Sequence, residues 1–494
     1  MFQYFHKRQA ALLFLLAMLV SPMLYACGSS EAETNADTAD TSAAETTPEA
    51  ETEFRYKADY LPEVTYDGYE YRLISYEEHP SHVEEPTGEV IDDAIHERNL
   101  LIEDTYDIRF SQVLYPITDY SKVTEFVNNA ARAQSDEFDL ANMNFQGAYY
   151  AVLEGYVPAA SSLPIADLSQ PWYVGNTNEG VTFDGVTLLG FTAFDKKPGG
   201  TGLIFNRAVI TDLNLDDPYE HMDEGTWTMD VMYTMAESAI QDVNGDGQMT
   251  AGDRFGFITE WDRIGMVAYV GTGHLLVEVE NGIPRVSQSE VLYDAFSRCV
   301  QYLKLDGAML DTFKEFGTAE SSRYAGRELF KQGQSLFVCT GTSSLTTLGD
   351  MEDDYGIVPF PKWTADQDRY YAMFDVDIIC VPLACSLDLE RVCVIKEALA
   401  VESLNITHPA YYENALKNRY LRDEKSLEML EIITNSVVPD LGQNPWWHIV
   451  RTPWQDTLVK KSTDFASAVA RHLPKSEAAI DEMMEMVAEL KKNS

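Results

Sequence analysis

The chain has 494 residues, with 36 Lys or Arg against 80 Asp or Glu, a formal net charge of -44. A hydrophobic content of 45% supports large cores over most of the length. No run of Lys or Arg exceeds two residues, which excludes a nucleic-acid interface, and so acidic a body is repelled by anionic lipid; a cation or an uncharged ligand remains open.

In chain order, residues 1–26 come first. Lys7 and Arg8 form a basic start, and Ala10 to Val20 is an apolar run too short to span a membrane. Leu24-Tyr25-Ala26-Cys27 then resembles a bacterial lipobox, which predicts a signal peptide over 1–26 and a diacylated Cys27. Residues 27–65 are rich in Ala, Thr, Glu, Asp and Ser as far as Glu53, which predicts a flexible acidic tether. Together these place a body on the extracytoplasmic face of a bacterial membrane, held by a lipid. Apart from Cys27, the cysteines Cys299, Cys339, Cys380, Cys385 and Cys393 read as buried free thiols, not as a disulfide scaffold.

The body begins near Tyr66. Glu70 to Tyr76 alternates as a strand; Val90 to Tyr106 is helical, with Ile91, Ile95, Ile102 and Tyr106 on one face. Ile108 to Val113 is a second strand, Lys122 to Ala133 a helix, and Phe138 to Met143 a third strand that breaks at Asn144. After a Trp/Gly/Asn-rich loop at 172–180 the pattern restarts, with strands at Val186–Phe191 and Thr201–Asn206 and a helix starting at Trp227 under a Thr226 cap. Further helices are expected at Val291–Leu303, Tyr324–Lys331, Leu389–Ser403, Ser426–Asn435 and Glu477–Lys491, and strands at Leu336–Cys339, Tyr355–Pro359 and Asp377–Pro382. Strands alternating with helices predict an α/β protein with mainly parallel sheets, and two lobes fit the count.

Asp242-Val243-Asn244-Gly245-Asp246-Gly247-Gln248-Met249-Thr250-Ala251-Gly252-Asp253 matches a calcium loop. Asp242, Asn244 and Asp246 alternate as hard oxygen donors, Gly247 serves the sharp turn, Gln248 offers a carbonyl, and Thr250 a hydroxyl or bridging water. Asp253 stands where the usual loop has a longer Glu, which predicts a weak, structural Ca²⁺ site.

No nucleophile elbow, zinc helix, phosphate loop or dinucleotide fingerprint is present, so no catalytic residue is assigned. Asp375 and Asp377 fall on one face of a strand, which leaves a sugar-hydrolysing pair as an alternative to ligand contact.

Several blocks, in order, resemble the extracellular solute-binding proteins of bacterial ABC importers, in their large clostridial lipoprotein branch. They are Glu97-Arg98-Asn99 with Ile102 to Ile108, Gly225 to Asp230, the Asp242 loop with Phe255-Gly256-Phe257, and Met351 to Lys362 leading to Tyr370-Tyr371 and Val381-Pro382. Pro409 to Tyr412 and Arg422 to Ser426 complete the series. The resemblance implies a two-lobed periplasmic-binding-protein-like fold (type II), with residues 66–195 and 374–410 in lobe 1 and 196–373 and 411–494 in lobe 2. It also implies a monomer that captures a sugar by lobe closure and hands it to ABC permease subunits, without catalysis. The same fold binding a peptide, or serving as a sensor, is the other alternative.

A sugar needs flat aromatic faces and planar polar groups. In the resembling maltose-type binders an aromatic stacks on sugar near the position of Trp446 or Trp447, and an Arg one helical turn later, here Arg451, faces the cleft. Trp172 and Tyr173 in their polar loop, Asn144 after the third strand, and Asp195 and Asp375 beside the crossings between lobes complete the expected site.

Overall fold

The computed structural model describes residues 55–77, 79–116, 120–173, 179–195, 199–317, 319–373, 378–417 and 420–493. The expected signal peptide, Cys27, most of the expected tether, and Asp375 with Asp377 lie outside the described residues.

Two sheets organise the body. The first is built from β1 (Tyr69–Tyr76), β2 (Ile108–Tyr115), β3 (Leu140–Asn144) and β13 (Ile378–Pro382), in the order β13-β3-β1-β2. β1 pairs in parallel with β2 and β3, and β13 runs antiparallel to β3, with Ile378 opposite Asn144. The second is built from β6 (Thr201–Asn206), β7 (Phe255–Thr259), β10 (Met309–Asp311), β11 (Ser335–Gly341) and β12 (Tyr355–Val358), in the order β10-β7-β11-β6-β12. β10, β7 and β11 are mutually parallel; β6 runs against β11 and β12. Two small hairpins stand apart, β4 (Thr182–Phe183) with β5 (Val186–Thr187), and β8 (Val277–Glu280) with β9 (Ile283–Val286).

The helices follow from amphipathic spacing. α1 (Val90–Tyr106) buries Ile95, Ile102 and Tyr106 together, and Asp107 turns the chain at φ 46° into β2. α2 (Tyr120–Ala133) and α3 (Phe145–Leu153) flank β3. α4 (Arg207–Leu213), α5 (Pro218–Glu224) and α6 (Met229–Ser238) follow β6; α7 (Trp261–Tyr269) follows β7; α8 (Glu290–Leu303), α9 (Thr312–Phe316) and α10 (Ala319–Lys331) surround β10. α11 (Leu389–Glu402) and α12 (His408–Lys417) return to α1 beside the first sheet, and α13 (Glu424–Asn435) packs on β12 of the second. α14 (Arg451–Val459) lies on α7, and α15 (Phe465–Asn493) touches α3 and β5 as well as α8 and β9. Among the described residues no helix is long and apolar enough to cross a membrane.

Some local expectations need correction. The strand expected at Val186–Phe191 shrinks to a two-residue hairpin arm, because Leu188 to Phe191 are buried without a partner strand. The helix expected at Trp227 begins at Met229; Thr226 instead meets the His221 ring, Oγ1 to Nδ1 at 2.9 Å. The last helix starts at Phe465 and passes through Pro474.

The folded body also starts before Tyr66. The Tyr56 N–H donates to Asn405 Oδ1 (2.9 Å), and Asn405 Nδ2 donates back to the Tyr56 carbonyl (3.1 Å). Arg55 pairs with Glu402, and the Tyr60 hydroxyl donates to Glu397 Oε2 at 2.7 Å. Residues 55–65 are therefore a strap along α11 and the π-turn Ser403–Thr407, not free tether.

Candidate ligand-binding site

Parallel strands gather their carboxyl ends on one edge of a sheet, and ligands of open α/β sheets sit outside that edge. In the first sheet the edge carries Tyr76, Tyr115 and Asn144; in the second it carries Thr259, Asp311 and Gly341. The segment 444–451 touches elements that leave both edges. Gln146, at the start of α3, donates from Nε2 to the Pro445 carbonyl (3.1 Å), and Tyr149 of α3 packs edge-on to Trp446 with centroids 6.2 Å apart. At its other end Arg451 opens α14, which packs on α7 just past β7. Nearby, a Cβ on Gly180 would lie 2.2 Å from the Pro439 carbonyl oxygen, so the chain approaches closely there and only glycine fits.

Trp446 and Trp447 part ways. Trp446 is 3% exposed and belongs to the core, so it offers no face to a ligand. Trp447 is 45% exposed, and the Arg451 guanidinium carbon lies 5.6 Å from its ring centroid. The two do not share a helix as the i, i+4 spacing predicts: residues 441–450 are turns, and the helix begins only at Arg451. Arg451 Nε is buried with no hydrogen-bond partner. Burial lowers the Arg451 pKa, with Asp262 and Tyr269 pulling it back up and Arg263 opposing them.

The residues after β7 were not singled out in the sequence. β7 is buried throughout, and Glu260, Trp261, Asp262 and Arg263 follow at once. Glu260 is 7% exposed and lies 4.0 Å from Arg263 Nε; Trp261 and Asp262 are half-buried. Asp311, at the end of β10, caps α9 by accepting from Phe313 N, and its pKa is raised, first by burial and further by Glu260. The available signal was an acidic and aromatic pair directly behind a wholly apolar strand.

Other expected residues are committed to the protein. Trp172 is 1% exposed, and its Nε1 donates to Glu397 Oε2 at 2.9 Å; the Tyr173 hydroxyl donates to Glu397 Oε1. Neither is a ligand-stacking face, because both side chains turn inward onto a buried carboxylate. Asp195 accepts from Thr192 N and Oγ1 (both 2.7 Å) at Oδ2 and from Cys380 N at Oδ1, so the carboxylate closes its own turn and holds β13, a structural use of both oxygens. Asn144 caps α3, accepting from Gly147 N at 2.8 Å, and stays half-buried beside Gln146.

The Asp242 loop is made, with Gly245 and Gly247 at φ 71° and 78°. Asp242 accepts from Gly245 N and Gly247 N, Asn244 from Asp246 N, and Asp246 from Gln248 N, all at 2.7–2.8 Å. Asp253 accepts from Val243 N, Thr250 N and Thr250 Oγ1, and the Thr250 N–H leads in lowering its pKa. Among the described residues no three His, Cys, Asp or Glu side chains converge on one point. The alternating oxygens fit calcium in kind, and both Asp253 oxygens are held by the loop's own Val243 and Thr250.

Two open surface hollows, of about 570 and 360 Å³, lie away from Trp447 and Arg451. Most of their charged side chains are already paired, Lys331 with Glu328 and Asp350, and Arg207 with Asp217 and Asp423, so segment 444–451 remains the better candidate.

No family model matches the chain, and no curated protein matches it. Solved structures do share its fold. A Mycobacterium tuberculosis protein, UspC, superposes with TM-score 0.56 at 13% identity, over 83% of this chain and 100% of its own. An ABC substrate-binding protein of Listeria monocytogenes, in complex with cycloalternan, gives TM-score 0.53 at 13% identity over 85% and 100%. The maltose/maltodextrin-binding domain MalE of Bdellovibrio bacteriovorus, bound to maltotriose, gives 0.51 at 14% over 83% and 100%. The chain therefore has the mixed α/β, two-lobed fold of such binding proteins.

Proposed function

We propose that this chain is the substrate-binding component of an ABC importer, which captures a carbohydrate by lobe closure and delivers it to permease subunits. The observation that carries the reading is segment 444–451. It presents an exposed indole and an unpaired guanidinium where parallel strands end, in a fold shared with proteins solved with maltotriose and cycloalternan. Lobe 1 takes 66–195 and 374–410, with the strap added, and lobe 2 takes 196–373 and 411–494. The two sheets, made from 69–144 with 378–382 and from 201–358, support that division.

The test is denaturant unfolding of the purified chain against mono- and oligosaccharides. A bound saccharide at 100 times its Kd adds about 2.7 kcal/mol, and is recovered chemically unchanged. Consumption of the sugar would establish the hydrolase alternative; indifference to every saccharide would turn the search to peptides.

The anchor and the metal belong to the same reading. Cys27 carries the lipid and residues 27–54 the tether, so radioactive palmitate is incorporated into the chain in cells and lost in Cys27→Ser. The Asp242 loop takes calcium weakly through Asp242, Asn244, Asp246, Gln248, Thr250 and Asp253. Asp253 must give up its bonds to Val243 and Thr250 to join the site, which lowers affinity. Calcium at ten times its Kd adds about 1.4 kcal/mol of stability, and Asp246→Ala removes the gain. An unchanged unfolding midpoint between chelator and millimolar calcium would leave the loop a plain turn.

A further inference from the structure

Arg451 is an exception among the arginines. Arg72, Arg98, Arg207, Arg391 and Arg422, all partly or wholly withdrawn from water, each donate to at least one acceptor, in turn Asp139, the Ser81 carbonyl, Asp423, Asp388 and the Met351 carbonyl. Among the described residues Arg451 makes no hydrogen bond and no ion pair within 4.0 Å, and its Nε is buried. Its guanidinium lies over the face of Trp447, the most exposed of the large aromatic rings beside it.

The charges around it do not close the gap. Asp262 is near enough to favour the guanidinium charge, and Arg263 is near enough to oppose it. Glu260 is turned to Arg263. A half-buried guanidinium without an acceptor is costly, because the desolvation is not returned by any bond. A neutral sugar hydroxyl could accept one N–H. A carboxylate accepts two in the planar fork geometry and also supplies the missing negative charge.

Resting on the sugar-binding reading above, we infer that the ligand is an acidic saccharide, one bearing a uronate carboxylate. The carboxylate pairs with Arg451 while the apolar face of the same or the adjacent ring lies on Trp447. The net charge of -44 repels such a ligand at long range. That field is screened beyond about 8 Å at physiological salt, so the local pair decides.

The experiment is calorimetric titration of the purified chain with matched probes: digalacturonate, a glucuronate-terminated disaccharide, the methyl ester of each, and maltotriose. The acids are expected to bind at least tenfold tighter than their esters. Arg451→Gln is expected to erase most of that difference, and Arg451→Lys to keep part of it; ligand-free unfolding of each variant controls for folding. Esters that bind as tightly as acids overturn the inference, as does an acid preference that survives in Arg451→Gln. Maltotriose binding without any acid binding also overturns it and leaves the sugar reading standing. Binding of none of the probes overturns the inference, and the sugar reading is then decided by the wider saccharide panel above.

Discussion

Glu397→Ala is expected to destabilise the protein by about 3–5 kcal/mol, the range for breaking a buried charged network from one side. Glu397 is 1% exposed and accepts from three aromatic donors: Tyr60 Oη at 2.7 Å, Trp172 Nε1 at 2.9 Å, and Tyr173 Oη. Its neighbour Lys396 is 3% exposed; burial disfavours the ammonium, and Asp195 and Glu397, with Cys380 and Cys393 behind them, raise its pKa against that. Alanine orphans three donors and removes one of the two negative charges that hold Lys396. Glu397→Gln keeps one acceptor oxygen and is expected to lose less. Tyr60→Phe removes only the strap's bond, worth about 1 kcal/mol. Denaturant unfolding of the three variants gives the ranking; an alanine variant within 1 kcal/mol of wild type would show that the carboxylate carries little of the load.

That network explains where sequence reading succeeded and failed. Periodicity over one element was enough for Val90–Tyr106 and for the Ile108–Val113 part of β2, because each pattern is set by which face is buried. The partner of Trp172 lies 225 positions away, and the Cys380 N–H on Asp195 lies 185 away. Nothing local distinguishes an aromatic pair in a polar loop aimed at a ligand from one folded onto a distant carboxylate. Trp446 and Trp447 show the same limit: adjacent residues, one in the core against the distant Tyr149 on α3 and one half-exposed.

The candidate site was half legible. Trp447 and Arg451 were reachable through the resemblance to maltose-type binders and the chemistry a sugar needs, although their spacing works through turns and not a helix. Glu260 and Trp261 were missed because β7 is a short, all-buried strand that periodicity cannot separate from a buried helix segment. Its carboxyl end becomes informative only once β10 and β11 are known to run parallel beside it.

Asp440→Asn is expected to cost about 1–3 kcal/mol, the penalty for leaving a buried donor unpaired, and to weaken saccharide binding as well. Asp440 is 1% exposed, just before segment 444–451. Oδ1 accepts from Gly442 N (2.8 Å) and Val277 N (3.2 Å), and Oδ2 from Leu276 N (2.8 Å) and Tyr269 Oη (2.9 Å). An asparagine turns one of these oxygens into a donor. On the Oδ2 side Tyr269 can rotate its hydroxyl to accept, and Leu276 N–H cannot. The loop then loses its tie to Leu276, just ahead of β8, and with it the firm placing of Trp447 and Arg451. Burial raises the Asp440 pKa against the pull of its four donors. A carboxyl raised above its unfolded value of about 4 loses stability as pH climbs from that value through the raised one. Asparagine has no such loss, so the deficit of Asp440→Asn should narrow across that acid window and stay constant above it. A deficit that widens there would mean that the four donors, and not burial, set the charge of Asp440.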